Sequence, residues 1–366
     1  MIRKTPFILL TAAALPFAVH AANTEFSFGG FIKADAMVSQ YKDAKINDLN
    51  FYIPAQTPIE TAGKNYHSFD TSAQSSRFNF KTITTLDNGE KVTAFVEMDF
   101  LGTTASKATT NPHGPRLRHA YFTYNNVTIG QTWSTFMNVA ALPEAVDFIG
   151  PTEGSVFVRQ AVARYDIGDF QLALENSETN DVTGLQKAAK IPDMIARYNI
   201  KAGDHSFSVA GLVRDLRTAA PAENTIGFGV NTAGVIQMGD DNLKFSVSYG
   251  QLGRYVGVAT VPDTMMVAGD LEATDVVAGF VSYQHFWSQQ WRSSLTYSML
   301  SASYENDAVA IANSANEKSQ SARVNLMYSP SKELTYGVEL SNAKLEKVSG
   351  ADGSFNRVHF TAKYAF

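Results

Sequence analysis

Phe26-Ser27-Phe28-Gly29-Gly30-Phe31-Ile32-Lys33-Ala34-Asp35-Ala36-Met37-Val38-Ser39 is the stretch that decides the fold. Phe26, Phe28, Gly30, Ile32, Ala34, Ala36 and Val38 fall on one parity, and Ser27, Gly29, Lys33, Asp35 and Ser39 on the other. Successive side chains of an extended backbone point to opposite faces, so this stretch reads as a strand with one apolar and one polar face. The C-terminal stretch repeats the pattern. Val358, Phe360, Ala362, Tyr364 and Phe366 alternate with Arg357, His359, Thr361 and Lys363.

The same alternation recurs between these ends. Phe78 and Phe80 alternate with Arg77, Asn79 and Lys81; Val92, Ala94, Val96 and Met98 alternate with Thr93, Glu97 and Asp99. Leu243 to Tyr249, Trp291 to Met299, Ala322 to Tyr328 and Leu334 to Leu340 follow suit. Strand centres fall near residues 32, 79, 95, 121, 130, 162, 172, 197, 209, 230, 247, 281, 295, 324, 338 and 361. Connections alternate between short turns such as Asp87-Asn88-Gly89 and Ser329-Pro330-Ser331 and long polar stretches. The long ones lie near 41–74, 101–115, 177–190, 215–224, 251–274, 300–317 and 343–354, and are expected on the exterior side. An even set of sixteen closes an antiparallel transmembrane β-barrel, wide enough to hold water. The expected fold is therefore all-β. A soluble sandwich fits less well, because the aromatic residues keep to the parity opposite the charges along the whole chain.

Composition agrees. Of 366 residues, 24 are Phe and 15 Tyr, yet mean hydropathy is only −0.13, as expected when each strand shows one face to lipid and one to water. Arg3 and Lys4 precede an apolar run from Pro6 to Val19, and Val19-His20-Ala21 has the small residues of a signal-peptide cleavage site. The expected organisation is a signal peptide over 1–21 and a single barrel over 22–366, exported to the outer membrane of a Gram-negative cell. With no cysteine, thiol chemistry and zinc–cysteine sites are excluded. A formal charge of −5, falling further once Arg3 and Lys4 are lost, argues against a nucleic-acid partner. No calcium-loop spacing, metal cluster or cofactor motif is found, so no metal and no cofactor is expected. Neither Gly-x-Ser-x-Gly nor His-Glu-x-x-His occurs, and histidines 67, 113, 119, 205, 285 and 359 are scattered, so no enzyme is expected.

Several segments resemble the DcaP-like family of trimeric porins. They are Gly29-Gly30-Phe31-Ile32-Lys33-Ala34-Asp35-Ala36, Glu97-Met98-Asp99-Phe100 and Arg116-Leu117-Arg118-His119-Ala120-Tyr121. Gly130-Gln131-Thr132-Trp133-Ser134-Thr135-Phe136, Leu142-Pro143-Glu144, Asp147-Phe148, Gly150-Pro151 and Phe157-Val158-Arg159-Gln160 complete the set. The similarity is sharp over about 26–165 and architectural beyond it. It implies a sixteen-stranded homotrimeric channel favouring small anionic solutes, set among outer-membrane lipid and lipopolysaccharide. Some members carry a helical coiled-coil segment before the barrel, for which the short distance from Ala21 to the first strand leaves no room.

In such a channel, function resides in the inward parity and in whatever narrows the bore. Residues 133–159 are too long for a turn and too apolar for an exposed loop, so they are expected to fold inward as a constriction, with Glu144, Asp147 and Glu153 as its acidic face. An exterior lid or trimer-contact loop is the alternative. Lys33, Arg77, Lys81, Arg164, Arg197, Arg214, Lys244, Arg292, Arg323, Arg357 and Lys363 read as inward, against Asp35, Glu97, Asp99, Glu175 and Glu339. That excess of cations in a narrow bore predicts a preference for anions. Arg116 and Arg118 share parity with outward Ala120, Phe122 and Tyr124, so they need a bulge to turn inward, or else stand above the bilayer. The resemblance implies a lumen role for them and for Arg159. Alternatives to general diffusion are a channel specific for a sugar or an aromatic acid, or a plugged structural or enzymatic barrel.

Overall fold

The computed structural model describes residues 23–42, 51–60, 63–102, 113–181, 184–186, 189–218, 223–305 and 313–366. The expected signal peptide lies outside the described residues. Sixteen antiparallel strands form one closed barrel. They are β1 (Thr24–Lys42), β2 (Asn65–Ser72 continued by Arg77–Thr85), β3 (Lys91–Asp99), β4 (Arg116–Tyr124), β5 (Val127–Trp133) and β6 (Arg159–Ile167). Then come β7 (Phe170–Glu175), β8 (Asp193–Ala202), β9 (His205–Arg217), β10 (Asn224–Met238) and β11 (Asp241–Gly250). The last five are β12 (Asp275–Phe286), β13 (Trp291–Ser303), β14 (Asn316–Tyr328), β15 (Leu334–Lys347) and β16 (Asp352–Ala365). Each strand pairs with its sequence neighbours, and β1 closes the ring on β16 from Phe31↔Ala365 to Tyr41↔Phe355.

β2 is one barrel strand in two pieces. Its upper piece pairs with residues 35–42 of β1 and its lower piece with residues 24–31. At the break, the Ser76 hydroxyl accepts the Lys33 amide at 3.0 Å, replacing a ladder bond that the gap removes.

Burial inverts that of a soluble protein. In β13, Leu295 and Tyr297 are 61% and 45% exposed, whereas Thr296 and Ser298, on the opposite parity, are buried. An outer face of exposed Phe, Leu, Val and Tyr around the whole ring is stable only against lipid.

All sixteen expected strand centres fall inside strands. The strands, however, run further outward than the alternation suggests: β1 reaches Lys42, β13 Ser303 and β15 Lys347. The reason is chemical. Near those ends the outward positions turn polar, as at Gln40, Gln320, Asn342, Lys344 and Asn356, so the hydrophobic period fades while backbone pairing continues.

Three segments fold into the barrel. Residues 134–158 contribute Phe136, Met137, Val146 and Val156, all almost fully buried. The expectation that 41–74 and 251–274 are wholly exterior polar loops is corrected by the other two. Phe51, Tyr52, Ile53 and Ala55 are buried inside, as are Leu252, Tyr255, Val256 and Val261. Their apolar side chains find partners only in the interior. The second of these segments also forms a small sheet, with Thr264–Val267 and Asp270–Ala273 paired and tied to Thr179–Asp181.

Candidate functional site

Residues 134–158 leave the barrel wall and return to it at a single point, where the Ser134 amide donates to the Val158 carbonyl at 3.0 Å. Between these ends the segment is tied to strand after strand. The Thr135 amide donates to Glu175 at 2.7 Å, Asn138 to Ser208 at 2.8 Å, and Arg197 to the Met137 carbonyl at 2.8 Å. Lys244 donates to the Leu142 carbonyl at 2.9 Å. Arg292 grips Glu144 with two bonds of 2.6 Å, and Gln284 adds a third of 2.7 Å. The Val146 amide donates to Glu339 at 3.0 Å, and Ser321 to Glu153. The segment therefore follows the inner wall from β7 round to β15.

Its inner partners make that half of the bore dry. Phe136, Met137, Val156 and Val158 pack with Leu252, Tyr255, Val256 and Val261 of the second segment, and with Val162, Ile195, Leu212, Val276 and Leu300 of the wall. One ion cluster clamps the second segment. Arg214, fully buried, donates to Asp263 at 2.6 and 3.1 Å and lies 3.4 Å from Asp193, which also accepts the Tyr255 hydroxyl at 2.7 Å. Arg214 is thus part of the packing and does not face water.

Open space remains along the other wall. A cavity of about 400 Å³ is bordered by Arg77, Glu97, Arg118 and the rings of Phe95, Tyr121, Trp133, Phe148 and Phe157. Another of about 250 Å³ lies by Lys33, Glu144, Asp147, Thr361 and Lys363.

A bulge builds the first cavity. Glu97 pairs with His119 but Met98 with Leu117, which leaves Arg118 as the extra residue. Leu117 stays outward at 48% exposure, while Arg118 and His119 both become buried within. Arg118 donates to Glu97 at 2.6 Å and to Asp99 at 2.9 Å. Arg116 makes two bonds to Asp99, of 3.0 and 2.7 Å, and Arg77 lies 3.8 Å from Glu97. Phe148 carries these guanidiniums at 4.9 Å for Arg77, 5.2 Å for Arg118 and 5.9 Å for Arg116. Arg159 stacks on Trp133 at 4.9 Å, with no carboxylate at ion-pair distance among the described residues.

The other expected residues are dispersed. Lys33 pairs with Asp35, which also meets His359 at 3.1 Å. Asp147 turns back on its own segment, accepting from the Ile149 amide at 3.1 Å and from Tyr52 at 3.3 Å. Arg164 pairs with Asp166 at 3.1 Å, and Lys81 is exposed on the inward parity of β2. Arg357 donates to Ser39 and Tyr41, and Arg323 is buried 3.7 Å from Glu339, under Tyr52. Among the described residues no group of three or more His, Asp or Glu gathers to hold a metal.

Sequence reading passed over Phe51, Tyr52, Asp193, Tyr255 and Asp263. A signal was present: Phe51-Tyr52-Ile53 and Leu252 with Tyr255-Val256 are apolar runs inside stretches read as polar loops.

The DcaP outer membrane protein family model matches residues 14–366. No curated protein matches the sequence. The crystal structure of the outer membrane channel DcaP of Acinetobacter baumannii is 25% identical, with TM-score 0.81, covering 94% of this chain and 98% of that one. Salmonella typhi OmpF in complex with daunomycin is 11% identical with TM-score 0.62, over 95% and 99% of the two chains. OmpT of Vibrio cholerae, expressed in the outer membrane, is 12% identical with TM-score 0.59, over 94% and 98%. A match over nearly all of the sequence, on a barrel with an inward-folded segment, assigns this outer-membrane porin to the DcaP outer membrane protein family, to which the chain belongs.

Proposed function

We propose that this porin passes small hydrophilic solutes by diffusion and prefers anions, without a catalytic step. The observation that supports it is the charge beside the larger cavity. Among the described residues, Arg77, Arg116, Arg118 and Arg159 stand there against Glu97 and Asp99. A net surplus of two positive charges in a narrow, low-dielectric bore attracts anions and raises their entry rate. Lys363 and the exposed Lys81 extend the cationic side, while Arg292 offsets Glu144, Asp35 offsets Lys33, and Asp147 is held by backbone amides. On this reading residues 133–159 are the constriction, within one barrel domain spanning 22–366.

The test is single-channel conductance in a planar bilayer, with the reversal potential under a KCl gradient. A chloride-favouring potential is expected, and a potassium-favouring one overturns the anion reading. A second reading, specificity for an aromatic acid, is favoured by the five rings that share a cavity with Arg77 and Arg118. Concentration-dependent block of chloride current by benzoate, absent with acetate, would select it.

The same proposal takes the chain as a homotrimer; one structural neighbour, OmpT of Vibrio cholerae, is described in a trimer form. It also places the apolar belt against outer-membrane lipid and lipopolysaccharide, and takes 1–21 as the signal that exports the chain.

A further inference from the structure

Where the cationic wall meets the exterior half of the barrel, three loops converge on one apolar cluster. Phe51 and Ile53 come from the segment after β1, Leu101 from the end of β3, and Ile149 from the 134–158 segment. Phe148 packs against them, its ring 5.3 Å from that of Phe51 and tilted by 24°. A crevice of about 10 Å³ lies beside this pair, bordered by Met37, Phe51, Leu101 and Phe148 and, on its polar side, by Asp35, Ser72, Ser75, Asp147 and His359. That is about the smallest volume, on this measure, that holds one water. Met37 in β1 and Leu101 just past β3 lie nearer the exterior than Lys33 and Glu97, so this crevice sits on the outer side of the arginines. Phe148 borders it and both larger cavities.

We propose that the Phe51–Phe148 pair is the neck of the channel, the apolar point that a solute passes to reach the arginines and that sets which solutes pass. The inference rests on the anion-channel reading and adds the specificity-determining residues. An apolar constriction of water size expels water and so blocks hydrated ions while the rings touch. Both rings belong to loops, so they part without breaking a strand ladder. Phe148 is also the ring on which Arg77 and Arg118 rest. When it swings aside it bares those guanidiniums, and an arriving anion takes the place of the ring's π face. Opening and exposure of the attracting charge are then a single movement.

The test uses the folded full chain in planar bilayers, with Phe148→Ala and Phe51→Ala. Widening an apolar gate should raise single-channel conductance by about two-fold or more, and raise the gluconate-to-chloride permeability ratio. Chloride preference should persist in Phe51→Ala, which leaves the arginines and the ring beneath them in place, and should rise in Phe148→Ala, which bares them. Phe148→Leu and Phe51→Leu keep the bulk without the ring; they should fall between wild type and alanine, and they decide the matter if the alanine variants do not fold. Unchanged conductance and permeability ratio in the folded variants, with wild-type anion preference intact, overturns the neck but not the channel. A cation-selective wild type instead overturns the reading beneath it.

Discussion

Arg118 is the residue on which most of the site depends. Its guanidinium is buried, binds Glu97 and Asp99 together, and rests on Phe148. Removing it takes charge-assisted bonds from Glu97 and Asp99, which keep Arg77 and Arg116 as partners, at a cost of about 1.5–3 kcal/mol. Arg118→Gln should therefore lower the temperature of heat-modifiability on gels, and move the reversal potential towards zero. Glu97→Gln acts oppositely on charge: it removes an anion beside the cavity, and chloride preference should rise. If both substitutions leave the reversal potential where it was, these residues do not set the field. The position of Arg118 was half legible. Its parity points outward, and only the extra residue between Met98↔Leu117 and Glu97↔His119 turns it in. A bulge leaves almost no mark on composition, whereas the cost of an arginine in lipid is readable, so sequence narrowed the options without choosing.

At the scale of elements, the inward segments are held by close approach as much as by polar bonds. A Cβ on Gly154 would lie 2.1 Å from the Gly279 carbonyl oxygen of β12, a distance that no side chain tolerates. Gly154→Ala should push residues 134–158 off the wall, and appear as a noisy, enlarged conductance with barrel heat-modifiability retained. The second segment is held differently. Asp263→Asn weakens the clamp on Arg214, a fully buried cation, and a loss of about 1–3 kcal/mol is expected for a weakened charged hydrogen bond. Thermal unfolding followed by circular dichroism in detergent measures it; a midpoint equal to wild type would mean that the clamp is dispensable. Residues 134–158 announced themselves through length and apolar content. Residues 251–274 were passed over despite their apolar side chains, because Arg254, Asp263, Asp270 and Glu272 break these into short runs. The buried ion pairs that neutralise them join residues 49 or more positions apart.

For the molecule as a whole, the strand count and the direction of each face were legible, since a closed barrel repeats one simple rule sixteen times. Leu295, at 61% exposure on the middle of β13, tests that rule. Leu295→Arg should cost about 2–4 kcal/mol if that position lies at mid-bilayer, lowering the yield of folded protein in lipid vesicles. Thr296→Arg next to it points inward and should act through crowding of the bore instead. What the pattern could not supply is which half of the bore is filled, because a dry core and a wet wall are both built from inward positions. The seam between β1 and β16 carries a last consequence, one of timing. It joins residues 31–41 to residues 355–365, the longest loop closure in the molecule, and every other pairing can precede it. Until it forms, two edges of unpaired amides and carbonyls stand open, which hydrocarbon does not tolerate. Assembly must therefore shelter both edge strands until they meet, and a lesion at the seam would be felt in the biogenesis of the barrel before it is felt in transport.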